Sequence, residues 1–174
     1  DRSGPLVINY RISAEKLSKE HWFFDKEIGG GRILSESCHF IDYCQFLVGH
    51  KVVDFNVTTT HNSTDIPNDN DIIITLNFSD GSISSITYHS IGGDSLPKER
   101  IEVSGENKTI VIDDFQLTTV YSGSNIEKVK TKKQDKGRAE MLDKFFRCLT
   151  SGRRLITVEN LVSTTELTIN IQES

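Results

Sequence analysis

The sequence predicts an α+β fold: one large, mainly antiparallel open sheet with helices on one face. Three observations carry this. Apolar residues alternate with a period of two through most of the middle of the chain. Helical spacing occurs only behind Gly29-Gly30-Gly31 and again near the C-terminus. No strand–helix–strand alternation follows the first unit, so no Rossmann domain is expected in this chain. With 174 residues, 36% hydrophobic and 26% charged, the chain suits a single domain, 1–174, with a proper core.

Pro5 to Ser13 alternates, with Leu6, Ile8, Tyr10 and Ile12 on one face, and reads as the first strand. Ala14 to Glu20 is a polar connector or a short helical turn. His21-Trp22-Phe23-Phe24 either lines a ligand cleft or plugs the end of the core. A helix is predicted from about Arg32 to Val48, because Ile33, Ser37, Phe40, Cys44 and Leu47 recur at helical spacing. Gly49 stands where its C-cap belongs. Val53, Phe55, Val57 and Thr59 alternate to about His61, and a polar loop runs from Asn62 to Asn70. Ile72 to Phe78 is a strand, Asp80-Gly81 predicts a two-residue type I′ turn, and Ser82 to Ser90 returns. After a loop from Ile91 to Pro97, strands are predicted at Arg100–Ser104, Thr109–Asp113 and Phe115–Tyr121. Ser122 to Lys136 reads as a polar, mobile segment. Met141, Leu142, Phe145, Phe146 and Leu149 form an amphipathic helix stopped near Gly152. Thr157 and Asn160 mark the N-cap of a last helix carrying Val158, Leu161, Val162, Leu167 and Ile171. The sheet face without helices is expected to serve as an oligomer surface.

A net charge of -5 and no basic run longer than Lys130 to Lys133 argue against nucleic acid as a partner. No apolar run is long enough for a bilayer and no signal-peptide pattern is present, so no membrane partner is expected. Cys38, Cys44 and Cys148 are odd in number and sit in apolar patterns. They read as free thiols of a reducing, cytoplasmic compartment, with no metal site. Sequons at Asn56, Asn62, Asn77 and Asn107 are explained by chance in a chain rich in Ser and Thr. The chain starts at Asp1 and its single methionine is Met141, which suggests a piece cut from a longer protein. Gly-x-Gly-x-x-Gly, His-Glu-x-x-His, paired Cys-x-x-Cys and Gly-x-Ser-x-Gly are all absent, so no reaction class follows from motifs.

The stretch of most chemical interest is the glycine run and the helix behind it. Ser35, His39, Asp42 and Phe46 fall on one helical face, with Glu36 at its edge. Glycines ahead of a helix allow close approach to the backbone, and the free N–H groups there favour an anion or a polarised oxygen. His39 is then either a proton-transfer group or a core histidine bonded to Glu36 or Asp42.

Gly29-Gly30-Gly31-Arg32-Ile33-Leu34, followed by His39 and Asp42, resembles the start of the second domain of the glucose–fructose oxidoreductase/inositol dehydrogenase (Gfo/Idh/MocA) family. The likeness runs nearly end to end, through Ile8–Arg11, Leu96–Val103, Asp113-Asp114-Phe115 and the closing helix pair. The Gly-Gly-Gly-Arg-Ile variant is similar to a subgroup fused behind a zinc alcohol dehydrogenase-like region. The resemblance implies a glyceraldehyde-3-phosphate dehydrogenase-like C-terminal domain. The full-length protein would be an NAD(P)-dependent dehydrogenase acting on a sugar, sugar nucleotide or cyclitol hydroxyl. NAD or NADP would be held mainly by an N-terminal Rossmann domain, leaving this fragment inactive alone. The same resemblance implies His39 as the base, with a lysine from the missing domain, and Glu36 as a second catalytic candidate. It implies Gly30 and Gly31 toward the cofactor, and Arg11, Trp22, Arg32, Ser35 and Lys98 toward substrate. Ser35 stands where the family carries an aspartate, and Asp42 is expected to anchor His39 or the loop. Expected partners are the Rossmann domain, a small sugar-like substrate, and further copies through the open sheet. The alternative is a non-catalytic binding or assembly module that has kept the fold.

Overall fold

The computed structural model describes residues 2–18, 20–25, 27–60 and 71–174. The alternating segments resolve into eight strands of one sheet. They are β1 (Val7–Ser13), β2 (Val52–Thr59), β3 (Ile72–Phe78), β4 (Ile83–His89), β5 (Glu99–Gly105), β6 (Lys108–Asp113), β7 (Leu117–Ser122) and β8 (Asn125–Lys130). Their order is β2-β3-β4-β1-β5-β6-β7-β8. β1 lies inside the sheet, parallel to β4 and antiparallel to β5; every other pairing is antiparallel. The expected loop from Asn62 to Asn70 lies outside the described residues.

The helices are α1 (Cys38–Val48), α2 (Arg138–Ser151) and α3 (Val158–Glu173). α1 and α3 touch each other and cover the inner face of the sheet, where Ile8, Tyr10, Ile12, Ile74, Ile86, Tyr88, Ile101 and Ile171 are buried. Phe40 of α1 meets Tyr10 edge-on at a centroid distance of 5.2 Å and lies 6.1 Å from Tyr88. Each such aromatic pair is worth about 1 kcal/mol beyond area burial. The predicted caps are in place: Gly49 is left-handed at φ 71°, and Thr157 Oγ1 accepts from Asn160 N.

Two expectations are corrected. The segment from Ser122 to Lys136 contains β8, hydrogen-bonded along β7. Every β8 residue is exposed, so burial imposes no alternation and main-chain pairing alone defines the strand. The Asp80-Gly81 turn is not type I′. Only Gly81 has positive φ there, and Phe78 is bonded both to Gly81 N and to Ser82 O. This is a three-residue loop closed by a left-handed glycine. The left-handed pairs sit instead at Glu106-Asn107 and Asp114-Phe115, all four non-glycine.

Candidate functional site

The Gly29–Gly31 run builds a tight corner before α1. A Cβ on Gly29 would lie 2.4 Å from Trp22 O and 2.6 Å from Phe23 Cα, so only glycine fits against that backbone. Gly30 and Gly31 have φ of 68° and 98°, open to glycine at little cost. The corner is pinned by Gly31 N to Phe23 O and by Ser35 Oγ, which donates to Gly29 O at 2.6 Å. An aspartate at position 35 could not donate that bond, which gives the serine a local physical reason.

The helix enters through a π-helical turn, Ile33–Ser37, in which Cys38 N reaches Ile33 O. The uniform α-helical spacing assumed from sequence therefore begins only at Cys38. Such turns recur at functional sites. With the corner, this turn fixes where three charged side chains go. Arg32 is buried, at 1% exposure, and donates to Tyr88 Oη and to Glu15 O. Glu36 accepts from Tyr88 Oη and from Lys98 Nζ, both at 2.5 Å, and lies 3.6 Å from Arg32. Burial pushes the Glu36 carboxyl up, but the bonds from Lys98 and Tyr88 and the charges of Lys98 and Arg32 leave it below its usual 4.5. Burial and the facing Glu36 push the Tyr88 phenol up.

His39 is exposed and its imidazole makes no hydrogen bond among the described residues, so it is not a core histidine. Neither carboxylate holds it. Glu36 is engaged as above, and Asp42 accepts from Thr164 Oγ1 of α3 at 3.0 Å. Asp42 thus anchors α1 to α3, correcting its expected role beside His39. Ser35 is half-buried, and Asp42 and Phe46 are exposed, as their shared face with His39 predicts.

The remaining candidates separate. Arg32 packs against Tyr88 and Phe24 and donates to Glu15 O, so it braces the corner from inside. Arg11 alternates with the inward Tyr10 and Ile12, so it lies on the sheet face opposite α1, donating to Pro97 O. It is not brought together with His39. Trp22 is 53% exposed, stacks on His21 and meets Phe23 edge-on; it does not plug the core. Lys98 is bound to Glu36 but remains 45% exposed and accessible. A Cβ on Gly30 would meet Leu34 Cδ1 at 2.7 Å.

Sequence reasoning missed a second polar cluster. Glu99, 3% exposed, accepts from Tyr10 Oη and from Lys136 Nζ. Burial and the bonded carboxylate push the Tyr10 phenol up. The signal was Tyr10 and Tyr88 on otherwise aliphatic buried faces, since a buried phenol needs a partner. Beside this cluster, an open cleft lies between Tyr43, Ile112, Phe115, Thr118, Val129 and Glu140, starting one turn past His39 on α1. Among the described residues, no group of three or more His, Cys, Asp or Glu could hold a metal ion. No described helix is long and apolar enough to cross a membrane.

Residues 5–111 match the family described as the GFO/IDH/MocA C-terminal domain, and the chain belongs to that family. No curated protein matches it. Among solved structures it is similar to an aldose–aldose oxidoreductase from Caulobacter crescentus complexed with glycerol, at TM-score 0.77 and 17% identity, covering 98% of this chain and 54% of that one. It is similar to the UDP-N-acetylglucosamine 3-dehydrogenase GnnA from Acidithiobacillus ferrooxidans, at TM-score 0.76 and 14% identity, covering 98% and 53%. A levoglucosan dehydrogenase in complex with NADH and levoglucosan gives TM-score 0.76 and 17% identity, covering 99% and 56%. At these identities the likeness is one of fold, and the chain spans about half the length of those structures.

Proposed function

We propose that this chain is the substrate-binding and oligomerisation half of an NAD(P)-dependent oxidoreductase acting on the hydroxyl of a sugar, sugar nucleotide or cyclitol. The observation that carries the reading is His39: exposed, unbonded among the described residues, on the solvent face of a helix braced by the Arg32–Tyr88–Glu36 cluster. An imidazole so presented is placed to accept a proton from a substrate hydroxyl. When bound, the nicotinamide accepts the hydride of the same carbinol carbon. The cofactor is held by an N-terminal Rossmann domain of the same protein.

Glu36 now takes a different part from that of a base. Its oxygens are occupied by Tyr88 and Lys98 and its carboxyl is held ionised, so it positions the start of the helix and orients Lys98. Lys98, 45% exposed, is the cation of this cluster that a substrate oxygen can reach. One observation favours the alternative, a non-catalytic module: among the described residues no carboxylate bonds the His39 imidazole, Glu36 and Asp42 being engaged elsewhere. The test is His39→Ala in the full-length protein. Loss of ~100-fold or more in turnover, with NAD(H) affinity unchanged, is the expected result for a general base. Unchanged turnover, or a full-length protein with no dehydrogenase turnover at all, would favour the module.

A further inference from the structure

The open cleft beside the Glu99 cluster has no part in the proton transfer proposed for His39. Its volume is about 310 Å3, within the range of small-molecule sites. Its walls are apolar and aromatic. Ile112 and Val129 come from the sheet, and the Tyr43 and Phe115 rings meet edge to face at 6.2 Å. Its lip is acidic, with Asp135 just ahead of α2 and Glu140 in the first turn of α2. Asp135 is fixed there, because its N–H donates to Phe115 O and its carboxylate accepts from Gly137 N. Neither Asp135 nor Glu140 forms an ion pair among the described residues. The fold already seats one ammonium next door: Lys136 Nζ bonds to Glu99 and lies 5.4 Å from the centre of the Phe115 ring.

We infer that this cleft binds a small organic ammonium, the protonated amine of an amino sugar or aminocyclitol. The inference narrows the substrate class proposed above and rests on that reading. Two carboxylates and two aromatic rings are the complement of a cation. A phosphate has the wrong charge for it. Among the described residues no Lys or Arg lines the cleft, Lys136 being engaged by Glu99 and Lys98 by Glu36. The diphosphate of a sugar nucleotide would meet Asp135 and Glu140 there without a counter-charge. The position also suits a second point of attachment. Tyr43 lies four residues beyond His39 on α1, which is one turn, or about 5.4 Å along the axis. That rise is on the order of the width of a six-membered ring. An amine held in the cleft therefore leaves a hydroxyl on the far side of the ring toward His39.

The test uses the full-length protein and three probes that share one ring: cyclohexylammonium, cyclohexanol and cyclohexyl phosphate. Methyl NMR of Ile112 and Val129 reports occupancy of the cleft. Cyclohexylammonium is expected to shift both methyls saturably, with half-saturation ~10-fold or more below that of cyclohexanol. Cyclohexyl phosphate is expected to give no saturable shift. In the Asp135→Asn/Glu140→Gln double variant the ammonium advantage should fall to ~2-fold or less. Both carboxylates are exposed, and asparagine keeps an acceptor for Gly137 N, so the variant retains the fold. Equal half-saturation for ammonium and alcohol, a saturable shift from the phosphate, methyls that no probe moves, or an advantage that survives in the double variant would overturn the inference. The readout needs neither cofactor nor turnover. A protein in which His39→Ala changes nothing can still prefer the ammonium, and one in which it abolishes turnover can lack that preference, so the two readings fail separately.

Discussion

Glu36 keeps its charge because Tyr88 and Lys98 donate to it and Arg32 stands 3.6 Å away. Removing that charge takes away an anion 3.6 Å from the Arg32 guanidinium, which is 1% exposed. Glu36→Gln is expected to cost about 2 kcal/mol in denaturant unfolding at pH 7. The sign with pH follows from a folded carboxyl held below 4.5. The stability it contributes is complete above that value and drains away as pH falls through the folded value. The Gln variant should therefore show a flatter acid limb than the parent, measured as unfolding midpoint against pH. The helical period shows Ser35, His39, Asp42 and Phe46 sharing a face, and that much of the site was readable from spacing. The partners of Glu36 were not, because Tyr88 and Lys98 lie 52 and 62 residues away and meet it only through the sheet.

Elements whose faces differ in burial were legible in the chain. β3, predicted from Ile72 to Phe78, has that span because every second residue is buried and those between are exposed or half-buried. β8 has no such contrast and escaped notice. The π-helical turn also left no mark, since its extra residue per turn changes no residue type. Turns divide in the same way. Glycine marks the Gly81 loop, but Glu106-Asn107 adopts the left-handed pair without any glycine. Asn107→Gly is expected to stabilise the domain by about 0.5–1 kcal/mol, read in thermal unfolding, because φ is 59° there and glycine adopts it without penalty. Gly29→Ala has the opposite expectation. Its Cβ would press on Trp22 and Phe23 backbone atoms within 2.7 Å, and a loss of about 2–3 kcal/mol should appear in the same measurement.

For the whole molecule, the asymmetry between the two sheet faces matters most. The inner face is filled by α1 and α3, while Val7, Ile73 and Ile83 stand 45–46% exposed on the outer one. Val7 and Ile83 are direct neighbours across β1 and β4, so the patch is continuous at the centre of the sheet. Self-association through this face is expected, and Ile83→Lys should shift sedimentation of the protein toward monomer; an unchanged profile would count against it. The same central position has a price in biogenesis. β1 is made before the other strands of this sheet, yet Val7 finds its neighbours only when Ile83 and Ser104 have been made. Until then an apolar ribbon of Ile8, Tyr10 and Ile12 waits without a slot, while the β3–β4 and β5–β8 hairpins can close locally. Insertion of that ribbon between two preformed halves is the long-range step of assembly, and the nascent chain is most prone to clumping just before it.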